Sequence, residues 1–318
     1  MTAENGRAFL EYFHRESLHM SFVIQTDQLC RAFGGKLAVD HLNLTVEPGT
    51  FYGFLGPNGA GKSTTIKMLT GLLAPTRGAI RVLGHDMLDH RASIEVKRQI
   101  GVIPENLALF DNLTATDYLT FVGRIHGLER AAIRQRSAEL LELLSLDRET
   151  KKLAIEYSHG MRKKLSLAAA LLANPKLLFL DEPFEGVDAV ASLVIRDMLT
   201  QFTARGATVF LTSHVLEIVQ RLCTHVGIIV KGQLVLQQSM DQLLQSRSLE
   251  ESFLQVAGGE NAAVTKLDWL DAGPRECRAT GTASRVAAAN TERAANTPGA
   301  WSGVPAETPS DATGEDRS

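Results

Sequence analysis

Cysteines, aromatic residues and long apolar runs are all scarce in this sequence of 318 residues. The three cysteines, Cys30, Cys223 and Cys277, are too few and too far apart for a disulfide framework or a metal-ligand motif, which indicates a reducing compartment. The longest apolar run, residues 165–173, is about half of the roughly 18–20 residues that a membrane-spanning helix needs. Residues 1–20 lack the apolar stretch of a signal peptide. We therefore expect any association with a membrane to depend on a partner protein.

An excess of one charge is also lacking, since 33 Lys and Arg against 36 Asp and Glu give a formal net charge of −3. This balance gives no general attraction to nucleic acid or to anionic lipid, so we expect no nucleic-acid partner. A hydrophobic content of 44% and a charged content of 22% are typical of a globular protein with a buried core.

The character of the sequence changes twice along the chain. Residues 1–21 form a polar N-terminal extension and residues 22–257 have globular character. Residues 258–318 contain only five Leu, Ile, Val or Phe, which predicts a disordered C-terminal tail. Between about 106 and 165, apolar residues at helical spacing predict an α-helical subdomain.

Short apolar runs in the globular part predict strands. The runs at 177–180 and 209–211 are continuous, which favours strands buried on both faces of a parallel sheet. Turn residues at 48–49 and 76–78 predict hairpins of a small antiparallel sheet. The predicted strands are 22–29, 42–46, 51–55, 80–82, 100–103, 177–180, 208–211, 227–230 and 234–236. Strands that alternate with helices indicate an α/β fold.

A glycine-rich loop follows the predicted strand 51–55 and precedes a helical segment. It has the pattern G-x-x-x-x-G-K-S in the strand–loop–helix setting that this pattern requires. Its backbone N–H groups and the helix N-terminus favour phosphate oxygens. The sequence therefore predicts a P-loop NTPase, in which Lys62 binds the β- and γ-phosphates of ATP and the Ser63 hydroxyl ligates Mg²⁺. The loop residues expected to bind the nucleotide are Gly56, Pro57, Asn58, Gly59, Ala60, Gly61, Lys62, Ser63 and Thr64.

Two carboxylates, Asp181 and Glu182, directly follow the predicted buried strand 177–180. This position is the carboxyl edge of a strand, where α/β folds bind their ligands. We expect Asp181 to hold Mg²⁺ through water, and we expect Glu182 to accept a proton from an attacking water molecule.

The segment Tyr157-Ser158-His159-Gly160-Met161 resembles the signature motif of ATP-binding cassette proteins. Residues 185–188 resemble the D-loop of that family, and Thr212-Ser213-His214 follows a predicted strand as the family's switch histidine does. Phe33 stands where the family places an aromatic residue that stacks on adenine. These segments occur in the family's order over residues 22–257, so the chain is identified as similar to ABC transporter ATPases.

The resemblance implies roles for these residues. Ser158 and Gly160 are expected to donate to the γ-phosphate, and the D-loop residue Asp188 is expected at the nucleotide site. His214 is expected to hydrogen-bond the γ-phosphate. The implied fold is a cassette with a mixed, mostly parallel core sheet, a small antiparallel β-subdomain and an α-helical subdomain.

Several residues depart from the family pattern. In the signature, His159 replaces a glycine and Met161 replaces a glutamine, and in the D-loop Glu185 replaces a serine. Glu105 stands where the family's Q-loop, here residues 100–106, has a glutamine. We expect it to bind nucleotide and Mg²⁺ through its carboxylate; the alternative is that Asn106 supplies an amide. These departures bear on the rate of hydrolysis more than on ATP binding.

The basic run Arg162-Lys163-Lys164 predicts a solvated basic face, with a contact to nucleotide or to a partner as the alternative.

In the family, the signature of one subunit faces the phosphate loop of another, so the resemblance implies a homodimer or a heterodimer of cassettes. It also implies an integral membrane permease subunit on a separate chain, with residues 109–114 as our candidate contact. The chain is expected to lie peripherally on the cytoplasmic face of the cell (inner) membrane.

Residues 249–254 are similar to the corresponding segment of bacterial ABC-2-type exporter ATPases, which makes an ATP-hydrolysing exporter subunit the leading hypothesis. Two alternatives are a non-transport cassette ATPase that acts on ribosomes or DNA, and a weakly hydrolysing regulatory or assembly protein.

Overall fold

The computed structural model describes residues 22–257, so the predicted N-terminal extension and C-terminal tail lie outside the described residues. The strands are β1 (Ile24–Phe33), β2 (Lys36–Leu42), β3 (Thr45–Val46), β4 (Phe51–Leu55), β5 (Arg77–Val82), β6 (His85–Asp86), β7 (Ile100–Ile103), β8 (Leu177–Asp181), β9 (Thr208–Ser213), β10 (His225–Val230) and β11 (Gln233–Ser239). The α-helices are α1 (Lys62–Leu69), α2 (His90–Gln99), α3 (Ala115–Ile125), α4 (Arg130–Leu143), α5 (His159–Leu172), α6 (Ala189–Ala204), α7 (Leu216–Leu222), α8 (Met240–Ser246) and α9 (Leu249–Ala257).

A six-stranded mixed sheet forms the centre of the fold, in the order β11-β10-β4-β9-β8-β7. All pairings are parallel except that of the edge strand β11 with β10. Every residue of β8 and β9 is buried, as the continuous apolar runs predict. Along β8, Leu178 and Leu180 pack into one hydrophobic cluster while Leu177 and Phe179 pack into the other, so a separate core covers each face of the sheet.

The carboxyl ends of β4, β8 and β9 meet at one edge of this sheet. Leu55 pairs with Ser213, and Asp181 pairs with Thr212. The loops that follow these three strands therefore lie side by side, and they carry the phosphate-loop, paired-carboxylate and switch-histidine motifs.

A second, antiparallel sheet has the order β2-β1-β5-β6, with β3 also paired to β1. The small antiparallel sheet was predicted correctly, but its hairpin turns were not. Residues 48–49 connect β3 to β4, which belong to different sheets, and Gly78 lies inside β5 at φ 90°. The connection between β1 and β2 is instead Gly34-Gly35, a two-residue loop that is a stronger hairpin signal because both residues adopt positive φ.

The helical subdomain contains α3, α4 and the first part of α5, together with two short 3-10 helices, Asp147–Glu149 and Ala154–Glu156. Its buried residues Leu119, Leu141 and Leu165 join the cluster on one face of the central sheet. A Cβ on Gly123 would lie 2.6 Å from Ile133, so a glycine is needed where α3 approaches α4. Across the described chain, every helix is too short or too polar to cross a bilayer.

Candidate nucleotide site

The phosphate loop leaves β4 and enters α1 through backbone positions that only glycine fills without strain. Gly59 and Gly61 have φ angles of 77° and 111°. A Cβ on Gly56 would lie 2.4 Å from the Ile229 carbonyl oxygen, and one on Gly61 would lie 2.5 Å from the Ala38 carbonyl oxygen. The loop thus passes close to β2 and β10. These close approaches at Gly56 and Gly61, and the positive φ angles at Gly59 and Gly61, explain why glycine occupies the three positions.

Two side chains of the loop have definite partners. Lys62 is 7% exposed, and its Nζ donates to the Gly56 carbonyl oxygen at 2.7 Å. The Ser63 hydroxyl donates to Glu105 Oε2 at 3.3 Å. Glu105 therefore reaches the phosphate loop, whereas Asn106 does not line the cavity above it. This geometry favours Glu105 over Asn106 as the residue that acts at the site.

Asp181 and Glu182 are both buried, and Thr212 holds them in place. The Thr212 hydroxyl donates to Asp181 Oδ1, and it accepts from the Glu182 backbone N–H at 3.1 Å. His214 holds the Glu182 side chain, because its Nδ1 lies 3.0 Å from Glu182 Oε2 and its backbone N–H donates to the same oxygen at 3.3 Å. The Glu182 carboxylate is thus fixed between the end of β8 and the end of β9.

The backbone of Glu182 is in the left-handed region, at φ 50°. Such a conformation in a non-glycine residue persists only where surrounding contacts hold it. One of those contacts is the Lys163 ammonium, which donates to the Glu182 carbonyl oxygen.

Lys163 is only 2% exposed, so the prediction of a solvated basic face for the run 162–164 is wrong at this position. Burial lowers the pKa of Lys163, and the surrounding carboxylates of Glu185, Glu182, Asp181 and Glu105 act in the opposite direction. Lys163 is a buried cation next to these four acids, and together with Lys62 it offsets part of the negative charge that Glu105 adds. Its neighbour Arg162 pairs with Asp111 at 2.8 Å.

A cavity of about 510 Å³ opens at this edge of the sheet. It unites most of the predicted phosphate-loop residues with Glu105, Asp181, Glu182 and His214, which come from four separate segments of the sequence. Its lining residues are Ala38, Asn58, Gly59, Gly61, Lys62, Ser63, Thr64, Glu105, Asp181, Glu182, Glu185 and His214.

Within the phosphate loop, Gly56, Pro57 and Ala60 do not line this cavity, and outside the loop four further predicted site residues do not line it. Phe33 ends β1 with a ring that is 47% exposed, and the guanidinium of Arg31 lies 4.6 Å from its centroid. Ser158 is the N-cap of α5, where its hydroxyl accepts from the Met161 N–H at 3.3 Å, and Gly160 lies in the first turn of that helix. Asp188 is the N-cap of α6, and the hydrogen bond from the Ala191 N–H lowers its pKa.

The signature and the D-loop touch each other through the unusual His159. A Cβ on Gly186 would lie 2.7 Å from His159 Cδ2, and Gly186 itself has a φ of 69°. The larger side chain in the signature is therefore accommodated by the absence of a side chain in the D-loop.

Four residues of the site were not predicted from the sequence, namely Thr212, Lys163 and the cavity-lining Ala38 and Glu185. Thr212 was identifiable in principle, because it lies two residues before His214 at the end of a predicted strand. No local sequence pattern identified Lys163, because the acids that surround it come from three other segments of the chain.

Residues 39–185 match the family model described as ABC transporter. The bacitracin transport ATP-binding protein BcrA of Bacillus licheniformis is 40% identical over 225 residues, which cover 70% of this chain and 72% of that protein. The daunorubicin/doxorubicin resistance ATP-binding protein DrrA of Streptomyces peucetius is 38% identical over 223 residues, 70% of this chain and 67% of that protein. A solved ATP-binding subunit of an ABC transporter superposes with a TM-score of 0.69 at 29% identity, covering 74% of this chain and 99% of that one.

The chain therefore belongs to the ATP-binding subunits of ABC transporters. Proteins of this class bind and hydrolyse ATP, form dimers and work with a separate membrane subunit. The particular relatives are ATP-binding proteins of the ABC-2 exporter type, which confirms the interpretation of the chain as the ATPase subunit of an exporter.

Proposed function

We propose that this chain hydrolyses ATP with Glu182 as the general base and with Lys62 as the cation that binds the β- and γ-phosphates. The observation that supports this most directly is the pair of contacts from His214 to Glu182 Oε2, which aim the carboxylate into the same cavity that Lys62 lines. A base in this position accepts a proton from water as the water attacks the γ-phosphate.

The residues present fit a magnesium ion. Ser63, Asp181 and Glu105 present a hydroxyl and two carboxylates at the cavity, and Mg²⁺ prefers such oxygen ligands. When bound, Mg²⁺ neutralises charge on the phosphate oxygens. Thr212 keeps Asp181 oriented, and the hydrogen bond between Ser63 and Glu105 brings the Q-loop carboxylate to the phosphate loop.

The test is the substitution Glu182→Gln, which keeps the shape of the side chain and removes the base. Loss of a general base lowers the rate by about 10²–10⁴-fold, so we expect hydrolysis to fall by this factor while ATP binding persists. An ATP-bound dimer should accumulate and be detectable by light scattering. The control is Glu217→Gln, an exposed acid on α7 that does not line the cavity, which should hydrolyse ATP at close to the wild-type rate. Near wild-type hydrolysis by Glu182→Gln would rule out Glu182 as the base.

We infer that the site is completed by a second cassette. Ser158, Gly160 and Asp188 line no part of the cavity in their own chain, although the signature and D-loop are the motifs expected to contact nucleotide. In a dimer these residues would come from the other subunit, which is either a second copy or a homologue. We assign the exposed Phe33 ring to adenine stacking, and His214 to a hydrogen bond with the γ-phosphate.

We also propose a docking surface for the membrane subunit on the helical subdomain. Within the predicted contact 109–114, Leu109 is buried, but Phe110 is 52% exposed and packs edge-on against the exposed Phe121 with a centroid distance of 5.1 Å. A groove of about 310 Å³ lies next to them, lined by Leu109, Tyr118 and Val122 among others. Contiguous exposed aromatic side chains of this kind are typical of an interface.

Docking to an integral membrane subunit would hold the chain on the cytoplasmic face of the membrane. The variant Phe110→Ser/Phe121→Ser should release the chain from the membrane fraction of its cells, while the ATPase rate of the purified chain stays unchanged. The control is Leu254→Ser on α9, which removes a side chain of similar exposure (53%) elsewhere. If the double variant stays with the membrane, the contact lies elsewhere.

A further inference from the structure

Three different metal-ligating side chains converge on the antiparallel sheet, outside the nucleotide site. Cys30 lies on β1, and Asp40 and His41 lie on β2. Their ligand atoms, one thiol sulfur, one carboxylate oxygen and one imidazole nitrogen, all lie within 4.8 Å of one another. This is the only group of three or more such side chains at this spacing among the described residues.

A bulge in the strand pairing brings these residues together. Leu29 pairs with Leu42, but the next pair is Arg31 with Val39, so two residues of β2 lie opposite the single residue Cys30. Adjacent residues of a regular strand point to opposite faces, whereas a bulge changes the direction of its side chains. His41 adopts a φ of 47° at this position, and its backbone N–H donates to Cys30 Sγ at 3.2 Å.

We propose that Cys30, Asp40 and His41 form a binding site for a divalent transition-metal ion with the preferences of Zn²⁺. Thiolate and imidazole ligands select zinc-like ions over Mg²⁺ and Ca²⁺, which bind oxygen. Three protein ligands leave the fourth tetrahedral position for water, as in open zinc sites. The site is thus chemically distinct from the all-oxygen ligand set at the phosphate loop.

The carboxylate is already oriented for this role from outside the cluster. Gln233 at the start of β11 donates to Asp40 Oδ2 at 2.6 Å, which leaves Oδ1 facing the histidine. Such outer hydrogen bonds commonly orient metal ligands.

Modest side-chain movements would give the ligand spacing of a zinc site. Bond lengths to zinc of about 2.0–2.3 Å place tetrahedral ligand atoms about 3.3–3.5 Å apart. Asp40 Oδ1 and His41 Nδ1 are 2.6 Å apart and must separate slightly. The His41 side chain is 60% exposed, so the cluster borders solvent on the histidine side, while the Cys30 thiol is buried. Binding would release the Cys30 thiol proton to solvent, since the thiolate is the ligand.

The test uses Co²⁺ as a spectroscopic probe of the full-length chain. We expect Co²⁺ to produce a thiolate-to-metal charge-transfer band in the near ultraviolet, and we expect Zn²⁺ to abolish it by competition. Co²⁺ bound by oxygen at the phosphate loop cannot give this band. Cys30→Ser should remove the band, while Cys223→Ser and Cys277→Ser should keep it.

His41→Ala tests the metal site even if Cys30→Ser fails to fold, because replacing an exposed side chain should leave the fold intact. Loss of an outer-shell partner costs about 10–100-fold in metal affinity, so loss of a ligand should weaken Co²⁺ binding by at least that factor. Gln233→Ala should weaken it by about tenfold. The matched control His85→Ala, an exposed histidine on β6, should leave the affinity unchanged. Absence of the band in the wild-type chain, its persistence in Cys30→Ser, or unchanged affinity in His41→Ala would each overturn the proposal.

Discussion

The two halves of the predicted nucleotide site differ in how completely this chain builds them. At the edge of the central sheet, Asp181 and Glu182 are 3% and 9% exposed, and Thr212, His214 and Lys163 hold them by hydrogen bonds. The signature half is an exposed helix N-terminus, where the Ser158 hydroxyl bonds only its own first turn. The fold of a single chain thus orients the side chains of the sheet-edge half, whereas the signature half leaves its donor groups exposed for contact with another surface.

The largest expected effect comes from inactivating one half of the site in one copy of the chain and the other half in a second copy. Lys62→Ala should lower ATP affinity by at least about tenfold, or ~1.4 kcal/mol. Ser158→Ala removes a phosphate donor and should lower hydrolysis by about 10²-fold. If the halves come from different subunits, mixing the two inactive proteins should restore an intermediate ATPase rate, because mixed dimers contain one intact site.

The control for this experiment mixes Lys62→Ala with Glu182→Gln, two changes in the same half. Each site of such a mixed dimer contains one of the two substitutions, so no activity should return. Equal recovery in both mixtures would contradict the division of the site between subunits.

A smaller effect is expected at the buried cation of the sheet-edge half. Lys163→Met removes the buried cation next to Glu105, Asp181, Glu182 and Glu185, so that Lys62 is the cation that remains at the cavity, and it removes a charged hydrogen bond to the Glu182 carbonyl. Because this hydrogen bond holds the backbone of the general base, we expect its loss to displace the Glu182 carboxylate and to lower hydrolysis by about tenfold or more. Lys163→Arg should retain most of the rate, and the adjacent Lys164→Met should be close to wild type. Steady-state ATPase assays separate these outcomes.

A still smaller effect, within a few-fold, is expected at the Q-loop. Glu105→Gln removes one of the clustered carboxylates, so ATP binding should depend less on Mg²⁺ and the basal ATPase rate should be equal or higher. Asn106→Ala should have no effect, because Asn106 does not line the cavity. A Mg²⁺ titration of ATP binding to both variants checks this. A silent Glu105→Gln together with a defective Asn106→Ala would reverse the assignment.

The smallest effect concerns the contribution of Asp188, on the signature half of the site, to the stability of the fold. Hydrogen bonding to backbone N–H groups lowers the pKa of Asp188 below its ordinary value of 3.8. The native state therefore favours the ionised form, and this contribution is complete above the unfolded-state pKa and is lost as pH falls through the folded pKa. Asp188→Asn keeps the N-cap but not the charge, so its melting temperature should lie below the wild-type value by no more than about 2–4 °C at neutral pH. The difference should vanish at acid pH; a constant difference would contradict this origin.

Local patterns predicted the parts of the site that are local in sequence. The phosphate loop was recognisable because its three glycines lie within six residues of each other. Gly59 and Gly61 adopt positive φ, and Gly56 and Gly61 pass too close to neighbouring strands for a side chain. Asp181 was recognisable because four buried apolar residues precede it. Glu105 was predicted from its place in the sequence, and its hydrogen bond to Ser63 is what distinguishes it from Asn106.

The remaining features depend on residues that are distant in sequence. Lys163 looked exposed because it lies between two other cations, yet it turns inward towards acids from the Q-loop, β8 and the D-loop. The strand predicted at 42–46 is interrupted in the structure, because Leu42 ends β2 and Thr45 begins β3. The bulge opposite Cys30 depends on strand pairing that hydrophobic alternation alone does not specify.

The contact between His159 and Gly186 limits how these two positions can vary during evolution. A side chain at 186 would overlap the imidazole of His159, in addition to the cost of its positive φ. Homologues that acquire a side chain at the position of Gly186 should therefore also have a smaller residue at the position of His159. We expect the two positions to covary, and a substitution that is harmless in a relative with glycine at both can be deleterious here.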